Sequence, residues 1–162
     1  MGKLKTMVEI LRFIFRFNSR CCVPLFYLWL TMIQSLPHGT SVCHGDPNPF
    51  NIFDCGNQYK LIDWVNCVTG SPLYDIAEYT LLYKYIWFHR KRYPEMVNYI
   101  EKYSDLFIGV FLAEYKRISN IDLSDLNKWT IPMLAAKLSG SGDNDYKCQI
   151  LDEVHRLLYI VI

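Results

Sequence analysis

The pair Gly56-Asn57 stands between two short runs of extended character, Asn51 to Cys55 and Gln58 to Ile62. Glycine reaches the positive φ that a two-residue hairpin loop requires, so these runs are expected to close a β-hairpin. The loop length also fixes the register: Asn51 faces Ile62, and Asp63 falls one step beyond, at the open end of the ribbon. Opposed residues in such a ribbon lie about 5 Å apart, which brings the oxygen-bearing side chains of Asn51 and Asp63 near one another. Any fold for this chain has to accommodate the ribbon and whatever is attached to its open end.

Around the ribbon the pattern is helical. Leu4, Met7, Val8, Leu11, Ile14 and Phe15 recur at helical spacing, with Arg12, Arg16 and Arg20 as a solvated row on another face. Pro37-His38-Gly39 marks a turn into the extended part. After Asp63, Ser71-Pro72 reads as an N-cap followed by proline at the first helical position, opening a helix with Leu73, Ile76, Ala77 and Leu81 on one side. Pro94 starts the next helix, with a break expected near Ser104 before Leu106 to Tyr115 continues. Ser124 is expected to cap a helix that carries Trp129, Met133, Ala136 and Lys137 and is stopped by Gly140-Ser141-Gly142. A last helix runs from about Asp145 to the end.

A chain of 162 residues, 51% hydrophobic and 20% charged, has room for one buried core and is too apolar for disorder. Seventeen basic and sixteen acidic residues give a net charge of +1, so no global field recruits nucleic acid or an anionic membrane. The apolar run from Cys21 to Ile33 contains Pro24 and falls short of the roughly 20 residues of a membrane span. It reads as a core helix. Six cysteines show neither a CxxC pair nor zinc spacing, as expected of reduced thiols in a cytoplasmic protein.

The chemistry concentrates in His44-Gly45-Asp46-Pro47-Asn48-Pro49-Phe50-Asn51, followed twelve residues later by Ile62-Asp63-Trp64. Phosphoryl transfer needs few protein groups: one carboxylate to orient the acceptor hydroxyl and take its proton, and hard oxygens to hold Mg²⁺ against the phosphates. Asp46, Asn51 and Asp63 repeat the order and spacing in which protein kinases place those parts. Read singly, Asp46 is a turn residue before Pro47, Asn51 a strand-edge polar group and Asp63 a cap after the hairpin; together they converge on one site. Cys43-His44 does not make a nucleophile and base, because adjacent residues on an extended segment point to opposite faces.

This combination resembles the motif pair of aminoglycoside phosphotransferases and the related choline, homoserine and fructosamine kinases. Gly70-Ser71-Pro72-Leu73-Tyr74-Asp75-Ile76-Ala77 is similar to the segment that follows the metal aspartate in that family, and Trp129 with Ala135-Ala136-Lys137-Leu138 is similar to its penultimate helix. The resemblance runs from about Leu36 to the C-terminus. It implies a mainly helical α+β fold, the C-terminal lobe of the protein-kinase-like fold, with a catalytic-loop β-hairpin packed on a helical bundle and the N-terminal lobe absent. Residues 1–35 would be a helical N-terminal segment and 36–162 the kinase-like lobe, with the catalytic loop at 43–51, the hairpin at 51–63 and helices over 72–162, as a single domain.

The resemblance also implies roles. Asp46 would be the catalytic base or hydroxyl-orienting group, and Asn51 and Asp63 would be Mg²⁺ ligands. His44 would be a structural member of the loop. Asp75 would brace that loop through backbone hydrogen bonds, unless it is only a first-turn carboxylate that favours the helix dipole. The cofactors implied are Mg²⁺ and ATP, and the partner is a small molecule bearing a hydroxyl.

A kinase also holds its nucleotide with a Gly-rich loop and an ion-paired lysine from a small lobe. Forty-three residues precede His44 and read as helix, so the chain is expected to be truncated and inactive alone, with a small lobe supplied in trans or from an upstream frame. The face that meets such a lobe should then be exposed and apolar, favouring self-association. A non-catalytic binding module that keeps the fold is the alternative, and the intact Asp46, Asn51 and Asp63 weigh against it. A metallophosphoesterase is disfavoured because Gln58-Tyr59-Lys60 supplies no further ligands. A polycationic aminoglycoside would want an acidic cleft, whereas the acids available are scattered: Asp143, Asp145, Asp152 and Glu153.

Overall fold

Two strands that the sequence pattern does not announce set the architecture. In the computed structural model, which describes residues 31–138 and 144–161, β1 (Ser41–Cys43) pairs antiparallel with β4 (Val68–Gly70), Cys43 opposite Val68 and Ser41 opposite Gly70. Residues 44–67 are therefore an excursion whose two ends are tied together. Cys43 and Val68 are buried at that tie. Gly39 fits against it because a Cβ there would sit 2.6 Å from the carbonyl oxygen of Gly70. The expectations for Arg12, Arg16 and Arg20, for the apolar run from Cys21 up to position 30 and for the stop at Gly140-Ser141-Gly142 fall outside the described residues.

Within the excursion, β2 (Ile52–Asp54) and β3 (Tyr59–Leu61) form the hairpin, with Ile52 opposite Leu61 and Asp54 opposite Tyr59. This is the register read from the two-residue loop, and the N–H of Ile62 donates to the carbonyl of Asn51 at 2.9 Å. Gly56 carries a φ of 83°, which a side chain would resist. The hairpin does not pack on the helices as expected. All of β2 and the first two residues of β3 are exposed, because a two-stranded ribbon has apolar groups on both faces and only its base touches the body.

The body is helical. In α1 (Leu73–Lys84) the residues Leu73, Ile76, Ala77 and Leu81 are all buried, and the hydroxyl of Ser71 accepts the N–H of Leu73 at 3.3 Å. In α2 (Pro94–Ser119) proline opens the helix and Asn120 closes it in the left-handed region at φ 51°. The expected break at Ser104 is absent: its hydroxyl donates back to the carbonyl of Glu101 at 3.2 Å and the helix runs on. Ser124 does not cap a helix either. Its N–H and hydroxyl both donate to the carboxylate of Asp122, and a 3-10 turn over Leu126–Trp129 leads into α3 (Thr130–Lys137). The last helix, α4 (Asn144–Val161), packs on α3.

One core joins these elements: Ile33 and Leu36 from the stretch before β1, Ile76 from α1, Trp129 and Leu134 around α3, and Ile150 from α4. Each such side chain contributes about 1.5–3 kcal/mol on burial. Aromatic pairs lock α1 to α2, with Tyr79 stacked on Phe111 at 3.8 Å and Tyr83 against Phe107 at 5.4 Å. Among the described residues no helix is long and apolar enough to cross a membrane.

Candidate active site

The loop between β1 and the hairpin is held from below by α1. Asp75, in the first turn of that helix, accepts the N–H of His44 on one carboxylate oxygen at 2.6 Å and the N–H of Gly45 on the other at 2.9 Å. Gly45 is required there: its φ is 83°, and a Cβ would lie 2.4 Å from the carbonyl oxygen of Asn66. His44 is fully buried. Its Nε2–H donates to the carbonyl of Ile62 at 2.7 Å and its Nδ1 accepts the N–H of Asp46 at 3.2 Å, so the two partners assign a single tautomer. Trp64 closes the edge of the imidazole at 4.6 Å and donates its indole N–H to Leu61. The imidazole thus joins the loop to the open end of the hairpin and has no nitrogen left for a reacting group.

Asp46 follows, with its carboxylate accepting the amide of Asn48 at 2.8 Å and that of Asn51 at 3.3 Å. Asn51 also donates to the main-chain carbonyl of Asp46 at 2.9 Å. That commits its Nδ2 and leaves Oδ1 as an acceptor turned elsewhere. Asn48, which sequence reasoning passed over, accepts the N–H of Phe50 at 2.9 Å and starts the 3-10 turn over Pro49–Asn51 that delivers Asn51 to Asp46. Its signal was an asparagine between two prolines, a turn-forming position.

Asp63 adopts the left-handed region at φ 62° and ψ 55°, is exposed, and makes no side-chain cap bond to the 3-10 turn that follows it. A non-glycine residue in that region costs of order 1 kcal/mol, so the capping role does not account for it. The geometry therefore joins Asp46 and Asn51 directly, places Asp63 one residue beyond the opposed pair Asn51 and Ile62, and braces the loop on Asp75.

Two hard oxygens result, Oδ1 of Asn51 and the carboxylate of Asp63. Mg²⁺ is commonly held by one or two protein oxygens with phosphate and water completing its shell, so this donor set fits that ion. Among the described residues no group of three or more histidines, cysteines, aspartates or glutamates gathers into a closed cage.

A model of the phosphotransferase enzyme family matches residues 9–118. The chain belongs to the phosphotransferase enzyme family. The match takes in the loop, the hairpin, Asp63 and Asp75; it begins before Leu36 and ends before Trp129. No curated protein and no solved structure matches the chain.

The electrostatics of this phosphotransferase loop divide its neighbours into inert and poised. Burial, reinforced by Asp75, pushes the Cys43 thiol up to about 11, and its S–H donates to the carbonyl of Ser71 at 3.3 Å. It is no nucleophile. One turn beyond Asp75 on α1, Glu78 bonds Lys137 of α3. Burial by itself would lower Lys137, but Glu78 outweighs it and the ammonium is held above its ordinary value, with Asp46 among the charges contributing. Tyr74 is raised by burial and by Glu78, Asp75, Cys43 and Asp46, so its phenol stays protonated. Neither Glu78 nor Lys137 was marked by the motifs as a site residue. Of the scattered acids, Asp145 pairs with Lys91 at 2.8 Å and Glu153 with Arg156 at 2.6 Å.

Proposed function

We propose that this chain serves phosphoryl transfer from Mg·ATP to a hydroxyl of a small molecule, and that it carries the catalytic half of the site. What supports this most is the wiring of Asp46: its loop is clamped by Asp75, and its side chain is bonded to Asn51, one of the two oxygen donors that suit Mg²⁺. In this reading Asp46 orients the acceptor hydroxyl and takes its proton. Asn51 and Asp63 hold the metal, which when bound neutralises phosphate charge. His44 and Asp75 keep the loop in place. Free thiols at Cys43, Cys55, Cys67 and Cys148 suit a cytoplasmic setting.

Nucleotide-holding parts come from a small lobe, in trans or elsewhere in the polypeptide, and the lobe described here is inactive without them. Exposed apolar side chains on and beside the hairpin support that view: Phe50, Phe53, Tyr59 and Val65 are exposed by 77%, 57%, 75% and 81%. The test is calorimetric titration of the folded chain with Mg·ATP, with Asp63→Ala as control. Heat lost in the variant supports the site, and equal binding by both removes Asp63 from metal binding. No binding by either means that the nucleotide depends on the other lobe, and steady ATP turnover by the purified monomer would sink the claim of inactivity.

A further inference from the structure

Asn48 is held at both ends of its side chain, more firmly than its turn requires. It stands between Pro47 and Pro49 with φ −78° and ψ 156°, the extended conformation that a residue before proline adopts. Its N–H donates to the carbonyl of Asp46 at 2.9 Å, and its carbonyl accepts the N–H of Asn51 at 3.0 Å. On that fixed backbone its Oδ1 accepts the N–H of Phe50 at 2.9 Å, and its Nδ2 donates to Oδ1 of Asp46 at 2.8 Å. A donor faces one end of the amide and a carboxylate the other, so only one orientation of the amide satisfies both.

The two ends do different things. Capping the 3-10 turn over Pro49–Asn51 uses Oδ1 alone, and serine or aspartate would cap as well. The Nδ2 donor adds nothing to that turn; its partner is Asp46. The other carboxylate oxygen of Asp46 meets Nδ2 of Asn51 at 3.3 Å, which is long for an N–H···O bond, and that same nitrogen lies 2.9 Å from the main-chain carbonyl of Asp46. The orientation of the carboxylate therefore rests chiefly on Asn48. The terminal torsion of an aspartate is soft, and a base that swings loses the advantage of a fixed approach to its proton.

Resting on the phosphoryl-transfer reading, we propose that Asn48 is a positioning residue for that reaction, whose amide N–H holds the Asp46 side chain in the one conformation from which it takes the proton of the acceptor hydroxyl. The bonds of Asn48 reach neither Oδ1 of Asn51 nor the carboxylate of Asp63. Its effect thus falls on turnover and not on nucleotide binding.

Two variants separate the ends of the side chain. Asn48→Ser keeps an oxygen for Phe50 and removes the donor to Asp46, while Asn48→Asp keeps the cap and sets a like charge against the carboxylate. Both retain the cap, so either one, folded, gives the answer. In the full chain, three-bond couplings of Asp46 report one rotamer in the parent and averaging in both variants. In the enzyme completed by its nucleotide-holding lobe, Asn48→Ser lowers kcat about tenfold, the loss of one hydrogen bond to a charged group, and leaves KM for Mg·ATP in place. In an Asp46→Ala background the same change costs nothing more, because the group it acts through is gone. A fall of equal size in both backgrounds would show damage to the turn and overturn the assignment, as would an unmoved kcat or unmoved Asp46 couplings. The couplings are read without turnover. Averaging in the variants with no phosphoryl transfer by the completed parent keeps the hold on Asp46 and removes the kinase reading, whereas transfer by the parent with couplings and kcat unaltered in the variants does the reverse.

Discussion

Asp75 accepts the N–H of His44 at 2.6 Å across 31 positions of sequence, and the same carboxylate accepts the N–H of Gly45. A first-turn carboxylate would favour its helix in any case, but here it has a second task, since it is the acceptor for two half-buried N–H donors of the loop. Asp75→Asn keeps one acceptor oxygen and turns an amide N–H₂ toward the other donor. The expected loss is about 2 kcal/mol of unfolding free energy, the range for hydrogen bonds to a charged group, read from urea midpoints. A midpoint equal to that of the parent would mean that the loop is held by something else.

The side chain of Asp46 hydrogen-bonds the loop amides of Asn48 and Asn51, whereas its bond to His44 is made by the main chain, so Asp46→Ala should leave the fold intact and act on chemistry. In an enzyme completed by its nucleotide-holding lobe, Asp46→Ala should lower the turnover rate by about 10²- to 10⁴-fold, the usual contribution of a positioned base. Near-normal turnover would remove Asp46 from that role.

Asp63 allows a metal role to be separated from a conformational one. Its φ of 62° suits glycine and resists alanine. Both Asp63→Ala and Asp63→Gly should lose metal-dependent nucleotide binding, while the glycine variant should be the more stable by about 1 kcal/mol. If the glycine variant binds as well as the parent, backbone shape rather than the carboxylate is what this position supplies.

These contrasts also mark what local sequence can disclose. The hairpin register was legible because a two-residue loop leaves no freedom in pairing Asn51 with Ile62, and the spacing of Asp46, Asn51 and Asp63 was legible because chemistry fixes it. The tie between β1 and β4 was not. Its strands have three residues each, Val42 is 61% exposed, and nothing near Cys43 names Val68 as its partner. Glu78 and Lys137 were hidden likewise, being 59 residues apart and each ordinary on a helix. Ser104 and Ser124 misled for one reason: serine competes for backbone groups, and only tertiary context decides whether it bonds back within a helix or to a neighbouring carboxylate.

Cys43 predicts an alkaline weakness. Its thiol is raised from an ordinary 9.0 to about 11 by burial first and Asp75 second. The unfolded chain therefore gives up this proton near pH 9 while the native chain keeps it until about pH 11, and the contribution is full below pH 9 and lost across that window. Tyr74, Tyr83, Tyr85, Tyr115 and Tyr146 are raised too, from 10.0, so they add to the loss as pH approaches 10 and the thiol is read from the difference between the parent and Cys43→Ala. Stability measured in urea should fall with pH over that window and fall less in Cys43→Ala. Parallel slopes would show that the thiol is solvated.

Phe50, Phe53, Tyr59 and Val65 are exposed apolar side chains on and beside the hairpin, which adjoins the residues assigned to the reaction. Single exposed apolar groups are common, but several on and beside one two-stranded ribbon with unpaired edges make that ribbon a pairing element. In the absence of the lobe proposed to cover it, the purified chain should self-associate through this ribbon. Phe53→Lys combined with Tyr59→Lys should shift the sedimentation profile toward monomer without changing the unfolding midpoint, because both side chains project from the hairpin into solvent. The same change should weaken capture of any nucleotide-holding lobe that restores turnover. A parent chain that is already a stable monomer would argue that the ribbon needs no cover, and the nucleotide would then have to be held by residues outside the stretch described here.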